Sequence, residues 1–225
     1  MNQRFFVTST GTGIGKSFIT AALVRQAKAL GKSVAAYKPV ISGFDPADAA
    51  NSDTGLLLQS QELPLMSDNS ARVSPWQFSA PLAPSMAARL ENRKIDFDEL
   101  VNHSRKIIAM AEDIVLIEGV GGVMAPLDDR HTIVDWVEAV EIQAMLVVGS
   151  YLGTISHTLT ALAVLQQRCI PIHSVIVNES EDISVPLQDI VEELGRWTRL
   201  PIVTVARRKA PDGWRDVKEL RGVLG

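Results

Sequence analysis

The sequence predicts a doubly wound α/β domain: a mainly parallel sheet with helices on both faces. Three observations carry that prediction. The tetrads Ile114-Val115-Leu116-Ile117 and Met145-Leu146-Val147-Val148 are wholly apolar, as in strands buried on both faces rather than strands with one wet side. Runs of this kind alternate with stretches of helical periodicity along most of the chain, the pattern of β–α–β units. Lastly, the first apolar run passes through a glycine-rich turn directly into a helix, as expected where a parallel strand delivers the chain to a ligand crevice.

In chain order, Phe5–Ser9 reads as the first strand, and the segment from Ser17 to Leu30 reads as a helix with Phe18, Ile19, Ala22, Leu23 and Ala27 on one face. Further strands are expected at Ser33–Val40, Asp113–Glu118, Gln143–Val148, Ile172–Val177 and Ile202–Val205, with helices around 97–112, 132–140, 154–168 and 185–199. The proline-containing segment Ile41–Arg93 is the least regular, with short helices expected near 53–59 and 84–91 and a loop around 41–52 lying over the site. No repeat or linker interrupts the chain, and its 225 residues suit a single domain over 1–225 with a substantial core.

The turn Thr10-Gly11-Thr12-Gly13-Ile14-Gly15-Lys16-Ser17 reads as a phosphate-binding loop. Glycines let successive backbone N–H groups point inward at phosphate oxygens. Lys16 would reach the β- and γ-phosphates, Ser17 would offer a hydroxyl to Mg²⁺, and the following helix adds its positive end. Thr12, Gly13, Ile14 and Gly15 belong to the same loop, so the chain is expected to bind a nucleoside triphosphate.

Other candidates stand at strand ends. Glu118 closes an apolar strand before Gly119-Val120-Gly121-Gly122, where a carboxylate can hold Mg²⁺ or its water and the glycines, Gly121 among them, leave room for a ligand. Lys38 stands near the end of the second strand, where that strand delivers side chains to the ligand crevice, and Ser42 follows it; a lysine there can stabilise charge on a transferring phosphoryl group. Asp53 is either a metal ligand or an ordinary acid at a helix start. The run Gly149–His157 is either an anion seat at a helix N-terminus or a helix capped by Thr154 or Ser156. Asn178 follows the fifth strand.

Composition limits the alternatives. Apolar residues make up 46% and charged residues 21% of the chain, and the net charge is −4, which argues against a general nucleic-acid binder. No apolar run reaches membrane-spanning length. Met1-Asn2-Gln3-Arg4 leads straight into the first strand, so no signal peptide and a cytoplasmic location are expected. The single cysteine, Cys169, excludes an intramolecular disulfide and is expected to be a small buried residue at a helix end. Four histidines lack zinc-type spacing, and no G-x-S-x-G elbow is present. Arg207-Arg208-Lys209 reads as a solvated cluster.

Taken together, Gly13-Ile14-Gly15-Lys16-Ser17, Tyr37-Lys38-Pro39-Val40 with Ser42-Gly43, Asn51-Ser52-Asp53, Ile117-Glu118-Gly119-Val120-Gly121-Gly122, Asp135-Trp136 and Leu152-Gly153-Thr154-Ile155-Ser156-His157-Thr158 resemble the dethiobiotin synthetases of the P-loop NTPase superfamily. The resemblance runs from about Arg4 to Asn178. It implies ATP-dependent carboxylation of 7,8-diaminopelargonate by CO₂ and closure of a ureido ring, with Mg²⁺, in a homodimer. It also implies Ser17, Asp53 and Glu118 as magnesium ligands, Lys16 and Lys38 as the catalytic charge-stabilising pair, and Ser42 as a contact to the substrate amine or carbamate. Gly153, Thr154 and Ser156 would seat the distal carboxylate across the dimer interface, and Asn178 would read adenine.

The chain departs from the family pattern at Ser9 and Gly11, where Gly and Asp are usual, at Ser156, where Asn is common, and over Thr204–Arg207. Rival readings on the same fold are a partition-type or septum-positioning ATPase and the ATP-binding part of a cobyrinate-type amide synthetase. Gly11 stands where the former carries a signature lysine.

Overall fold

The computed structural model describes residues 2–181, 185–210 and 212–224; Met1, part of the leaderless-start expectation, lies outside them. Six parallel strands form the main sheet in the order β2-β5-β1-β6-β7-β8. They are β1 Gln3–Ser9, β2 Val34–Tyr37, β5 Ile114–Glu118, β6 Gln143–Val148, β7 Ile172–Asn178 and β8 Ile202–Val205, while β3 Val40–Ser42 and β4 Trp76–Phe78 form a separate parallel pair. The helices are α1 Lys16–Ala29, α2 Asp53–Gln61, α3 Ser67–Val73, α4 Pro84–Leu90, α5 Phe97–Ile108, α6 Ile133–Val140, α7 Thr154–Gln167 and α8 Leu187–Trp197.

The period of two along each strand builds one core on each side of the sheet. Phe5, Val7, Ile114, Leu116, Met145 and Val147 face α1, α2 and the C-terminal residues Trp214, Val217, Leu220 and Leu224. Their neighbours Phe6, Val115, Ile117, Leu146 and Val148 face α4 to α8. Wholly apolar strands are thus explained by helices on both sides. Phe6 meets Trp136 of α6 edge-on at 4.8 Å between ring centroids, and the buried indole N–H donates to Ser104 Oγ of α5 at 3.0 Å.

Four departures from the sequence reading have physical causes. The strand expected over Ser33–Val40 breaks at Lys38-Pro39 into β2 and β3, because Pro39 has no N–H for a ladder; β3 instead pairs with β4. Helix α5 stops at Ile108 rather than running to 112. The Arg4 guanidinium takes its terminal carbonyls, with Nε donating to Ile108 O and Nη2 to Met110 O, both at 2.7 Å, a cation where the helix dipole favours one. Cys169 is exposed, not buried. It carries a φ of 53° beyond the end of α7, where the chain turns back toward β7 and only Ile170 points inward. Finally, Arg208 is not simply solvated: it pairs with Glu219 at 2.6 Å and ties down a C-terminal segment of two 3₁₀ turns, Gly213–Asp216 and Glu219–Gly222.

Candidate active site

Residues at the C-terminal ends of β1, β2 and β5 converge because the strands are in register. Val7 lies opposite Glu118, and Tyr37 opposite Ile117, so one step beyond β2 brings Lys38 beside Glu118. The Lys38 ammonium stands 2.7 Å from Glu118 Oε1 and 2.7 Å from Asp53 Oδ2. Ser17 Oγ donates to the same Glu118 Oε1 at 2.6 Å.

Glu118 is 0% exposed, and its Oε2 is buried without a hydrogen-bond partner among the described residues. A buried carboxylate oxygen left bare is costly unless a cation or donor meets it. Asp53 heads α2 but does not cap it; that role belongs to Ser52, whose Oγ accepts from Gly55 N at 3.1 Å. The choice left open for Asp53 is narrowed by its pairing with Lys38. Burial opposes charge on both partners, yet Glu118 and Asp53 together hold the Lys38 ammonium above its ordinary range. Lys38 in turn outweighs burial and keeps the Asp53 carboxyl below the usual carboxylate range.

The glycine loop takes the shape its sequence implies. Gly13 and Gly15 have φ of 73° and 91°, a left-handed geometry that L side chains resist. Gly15 begins α1 with no side-chain cap, so the helix's first N–H groups are left for an anion. A side chain at Gly15 would also collide with the Asn178 amide, which donates to Ile14 O at 2.9 Å. Asn178 therefore braces the loop from the end of β7.

Lys16 is buried, and burial together with the charge of Lys38 lowers its pKa to about 8. Its ammonium donates to Gly121 O at 2.8 Å and Ser9 Oγ at 3.0 Å, with Gly11 O at 3.5 Å.

Lys16, Ser17, Lys38 and Asp53 border a cavity of ≈ 1030 Å³, whereas Ile14, Glu118 and Asn178 do not line it. Its lining joins loop residues Gly11, Thr12, Gly13, Gly15, Lys16 and Ser17 with Lys38, Ser42, Asp53 and Gly121, and adds apolar groups from Leu56, Pro81, Leu82, Met124, Ala161 and Val164. Gly153, Thr154 and Ser156 do not line it. Gly153 begins α7 with φ 94°, the Thr154 hydroxyl is spent on Gly149 O at 2.7 Å, and Ser156 is exposed.

The α7 residues that do face the cavity are His157, Thr160, Ala161 and Val164. Their i, i+3, i+4, i+7 spacing was readable from the helical pattern. Nothing local in the sequence marks the cavity-facing part of the Pro81–Pro84 loop, and the hydroxyl of Ser9 was likewise missed as a lysine contact.

The donors suit a hard cation. Among the described residues no three His, Cys, Asp or Glu groups cluster. The available set is two carboxylates and one hydroxyl, all oxygen, one of them a buried oxygen without a partner. Magnesium needs little more from a protein, since phosphate and water complete its shell.

Comparison with known proteins agrees with this architecture. A family model described as an AAA domain matches residues 3–207. Among solved structures, the septum site-determining protein MinD complexed with Mg-ADP from Pyrococcus horikoshii superposes with a TM-score of 0.59 at 16% identity, covering 96% of this chain and 86% of that one. A ParA family ATPase from Chlorobium tepidum gives a TM-score of 0.54 at 16% identity, covering 96% and 88%. These likenesses show the P-loop NTPase fold and no more.

Sequence relatives are far nearer. The ATP-dependent dethiobiotin synthetase BioD of Acidiphilium cryptum is 44% identical over 86% of this chain and 87% of its own length. That of Methylobacterium nodulans is 42% identical over 90% and 92%. At such identity over nearly the whole length, and with a loop, two lysines and two carboxylates gathered at the strand ends, the chain belongs to the ATP-dependent dethiobiotin synthetase family.

Proposed function

We propose that the chain converts 7,8-diaminopelargonate, CO₂ and ATP to dethiobiotin, ADP and phosphate. One neutral amine attacks CO₂ and gives up a proton to solvent, leaving a carbamate. A carbamate oxygen then attacks the γ-phosphorus of ATP, giving a carbamic-phosphoric anhydride and ADP. The second amine attacks the anhydride carbonyl, its proton leaves to solvent, and the C–O bond to phosphate breaks as the ureido ring closes.

The observation that carries this reading is the grouping of Lys16, Lys38 and Asp53 on one cavity wall, with Glu118 buried behind Lys38 and Ser17, in a chain 44% identical to curated synthetases. Both partners in the phosphoryl step are anions, so the residues act by neutralising and aligning them. Lys16 binds β- and γ-phosphate oxygens, and Lys38 stabilises the charge that moves onto the carbamate and the transferring group. Thr12, Gly13, Ile14, Gly15 and Gly121 shape the phosphate seat. Ser17, Asp53 and Glu118 would hold Mg²⁺, which would supply further neutralisation of the phosphates.

Ser42 lies on the cavity wall and meets the amine or carbamate. The Leu82, Met124 and Val164 surface suits the aliphatic chain of the substrate. Asn178 Oδ1, left over after its amide has donated to the loop, meets the amino group of adenine. Gly153, Thr154 and Ser156 serve the distal carboxylate of a substrate bound to a second copy in a homodimer. What supports that assignment is the start of α7 at Gly153, which has no side-chain cap, beside Leu152, 82% exposed. Among the described residues no helix is long and apolar enough to cross a membrane, which fits a cytoplasmic enzyme.

Phosphate release from Mg·ATP with bicarbonate, measured with and without 7,8-diaminopelargonate, tests the reading. Diamine-dependent release with one carbonyl unit gained per product is the expected outcome. Hydrolysis indifferent to the diamine would replace it with an ATPase switch.

A further inference from the structure

We infer that Ser9 is a positioning residue for Lys16: its hydroxyl fixes the lysine ammonium so that the remaining donor points at the triphosphate, shared between a β- and a γ-phosphate oxygen. The inference rests on the assignment of Lys16 to phosphate.

Ser9 ends β1 and is fully buried. Its backbone is held on two sides, paired with Val147 of β6 and accepting from Val123 N at 2.8 Å. The side chain therefore has little freedom. Its Oγ lies 2.7 Å from Gly11 O and 3.0 Å from Gly121 O, and its single proton serves one of them at a time. The lone pairs accept from Lys16 Nζ at 3.0 Å. One hydroxyl thus joins the phosphate loop at Gly11, the facing glycine loop at Gly121 and the ammonium of Lys16.

The ammonium has three protons. Two make short contacts, to Gly121 O at 2.8 Å and Ser9 Oγ at 3.0 Å; among the described residues the third has only Gly11 O at 3.5 Å, beyond the range of a good hydrogen bond. A lysine gripped at two points with a weak third is oriented rather than idle. Exchanging the 3.5 Å contact for a phosphate oxygen leaves the other two intact. Without the Ser9 acceptor, the buried ammonium keeps a single short partner and its orientation is no longer fixed. Hydrogen bonds from charged donors are the stronger class, so the loss is large enough to measure.

The test compares the wild-type protein with Ser9→Ala, Ser9→Gly and Ser9→Thr, each checked by thermal melting. Affinity for a non-hydrolysable ATP analogue with Mg²⁺ is read by calorimetry, and kcat and KM by diamine-dependent phosphate release. Removing the hydroxyl should weaken analogue binding about ten-fold and lower kcat about ten-fold. KM for the diamine should stay within about two-fold, and Ser9→Thr should restore most of the loss. In a Lys16→Ala background, Ser9→Ala should add nothing, because Ser9 acts through that lysine.

Unchanged analogue affinity and kcat in folded Ser9→Ala would overturn the inference. So would equal losses with and without Lys16, or losses matched by a fall in melting temperature and a rise in diamine KM. If Ser9→Ala does not fold, Ser9→Gly carries the same comparison. If wild-type protein binds the analogue but shows no diamine-dependent release, the reaction assignment fails while the binding comparison still decides the role of Ser9.

Discussion

Lys38 is the residue on which the site's charge balance turns. Its ammonium separates two carboxylate oxygens, each 2.7 Å away, at a point where Glu118 has no water to fall back on. Lys38→Ala is expected to lower ring closure by at least about 100-fold, the scale set by loss of one preorganised transition-state contact, while ATP binding largely persists. Phosphate release at saturating ATP, alongside nucleotide titration, checks both halves; undiminished turnover would remove Lys38 from the mechanism.

Glu118→Gln keeps the shape but removes the charge that faces Ser17 and Lys38, so the Mg²⁺ concentration for half-maximal rate should rise about ten-fold or more. An unchanged magnesium titration would count against its metal role. Both residues were legible in the sequence because a strand end in this fold is itself a signal. The Lys38–Asp53–Glu118 triad as such was not legible. It depends on the β2–β5 register and on the start of α2, which lie far apart in the chain.

At the level of elements, helix ends are held by side chains, some of them distant in the chain. Arg4 stops α5, and Asp135 starts α6: its Oδ2 accepts from Thr132 N at 2.7 Å and Thr132 Oγ1 at 2.8 Å, while Oδ1 accepts from Arg168 at 2.9 Å. Burial would raise its pKa, but the Thr132 donors and Arg168 prevail and hold it below the ordinary 3.8. A carboxyl more acidic in the folded than in the unfolded chain stabilises the fold above the unfolded value. That contribution is lost as pH falls through the folded value.

Asp135→Ala should therefore cost about 1–2 kcal/mol at pH 7, and the gap from wild type should close as pH drops below about 3.8. Urea melts at neutral and acidic pH measure the difference. Helix existence was readable from periodicity, whereas the stop of α5 was not, since its cap comes from Arg4, 104 positions from Ile108.

Across the whole molecule, the six-stranded parallel sheet and its two faces followed from wholly apolar strands. The C-terminal segment did not, because short 3₁₀ turns carry no period to read. Yet Trp214 is 1% exposed, and Val217, Leu220 and Leu224 are fully buried against the α1 side of the sheet. Trp214→Ala should destabilise the fold by about 3–5 kcal/mol through the cavity it leaves, with a matching fall in denaturation midpoint. A shift of under about 0.5 kcal/mol would mean that the segment merely lies on the surface.

This packing joins α1 with turns that leave the ribosome much later. The Gln26 amide bonds to the Val217 carbonyl across 191 positions. At roughly 5–20 residues per second, that separation is about 10–40 s of translation. For that interval the helix behind the phosphate loop lacks its cover, so a nascent chain halted before Trp214 would present this greasy flank to a chaperone, and one extended past Leu224 would withdraw it.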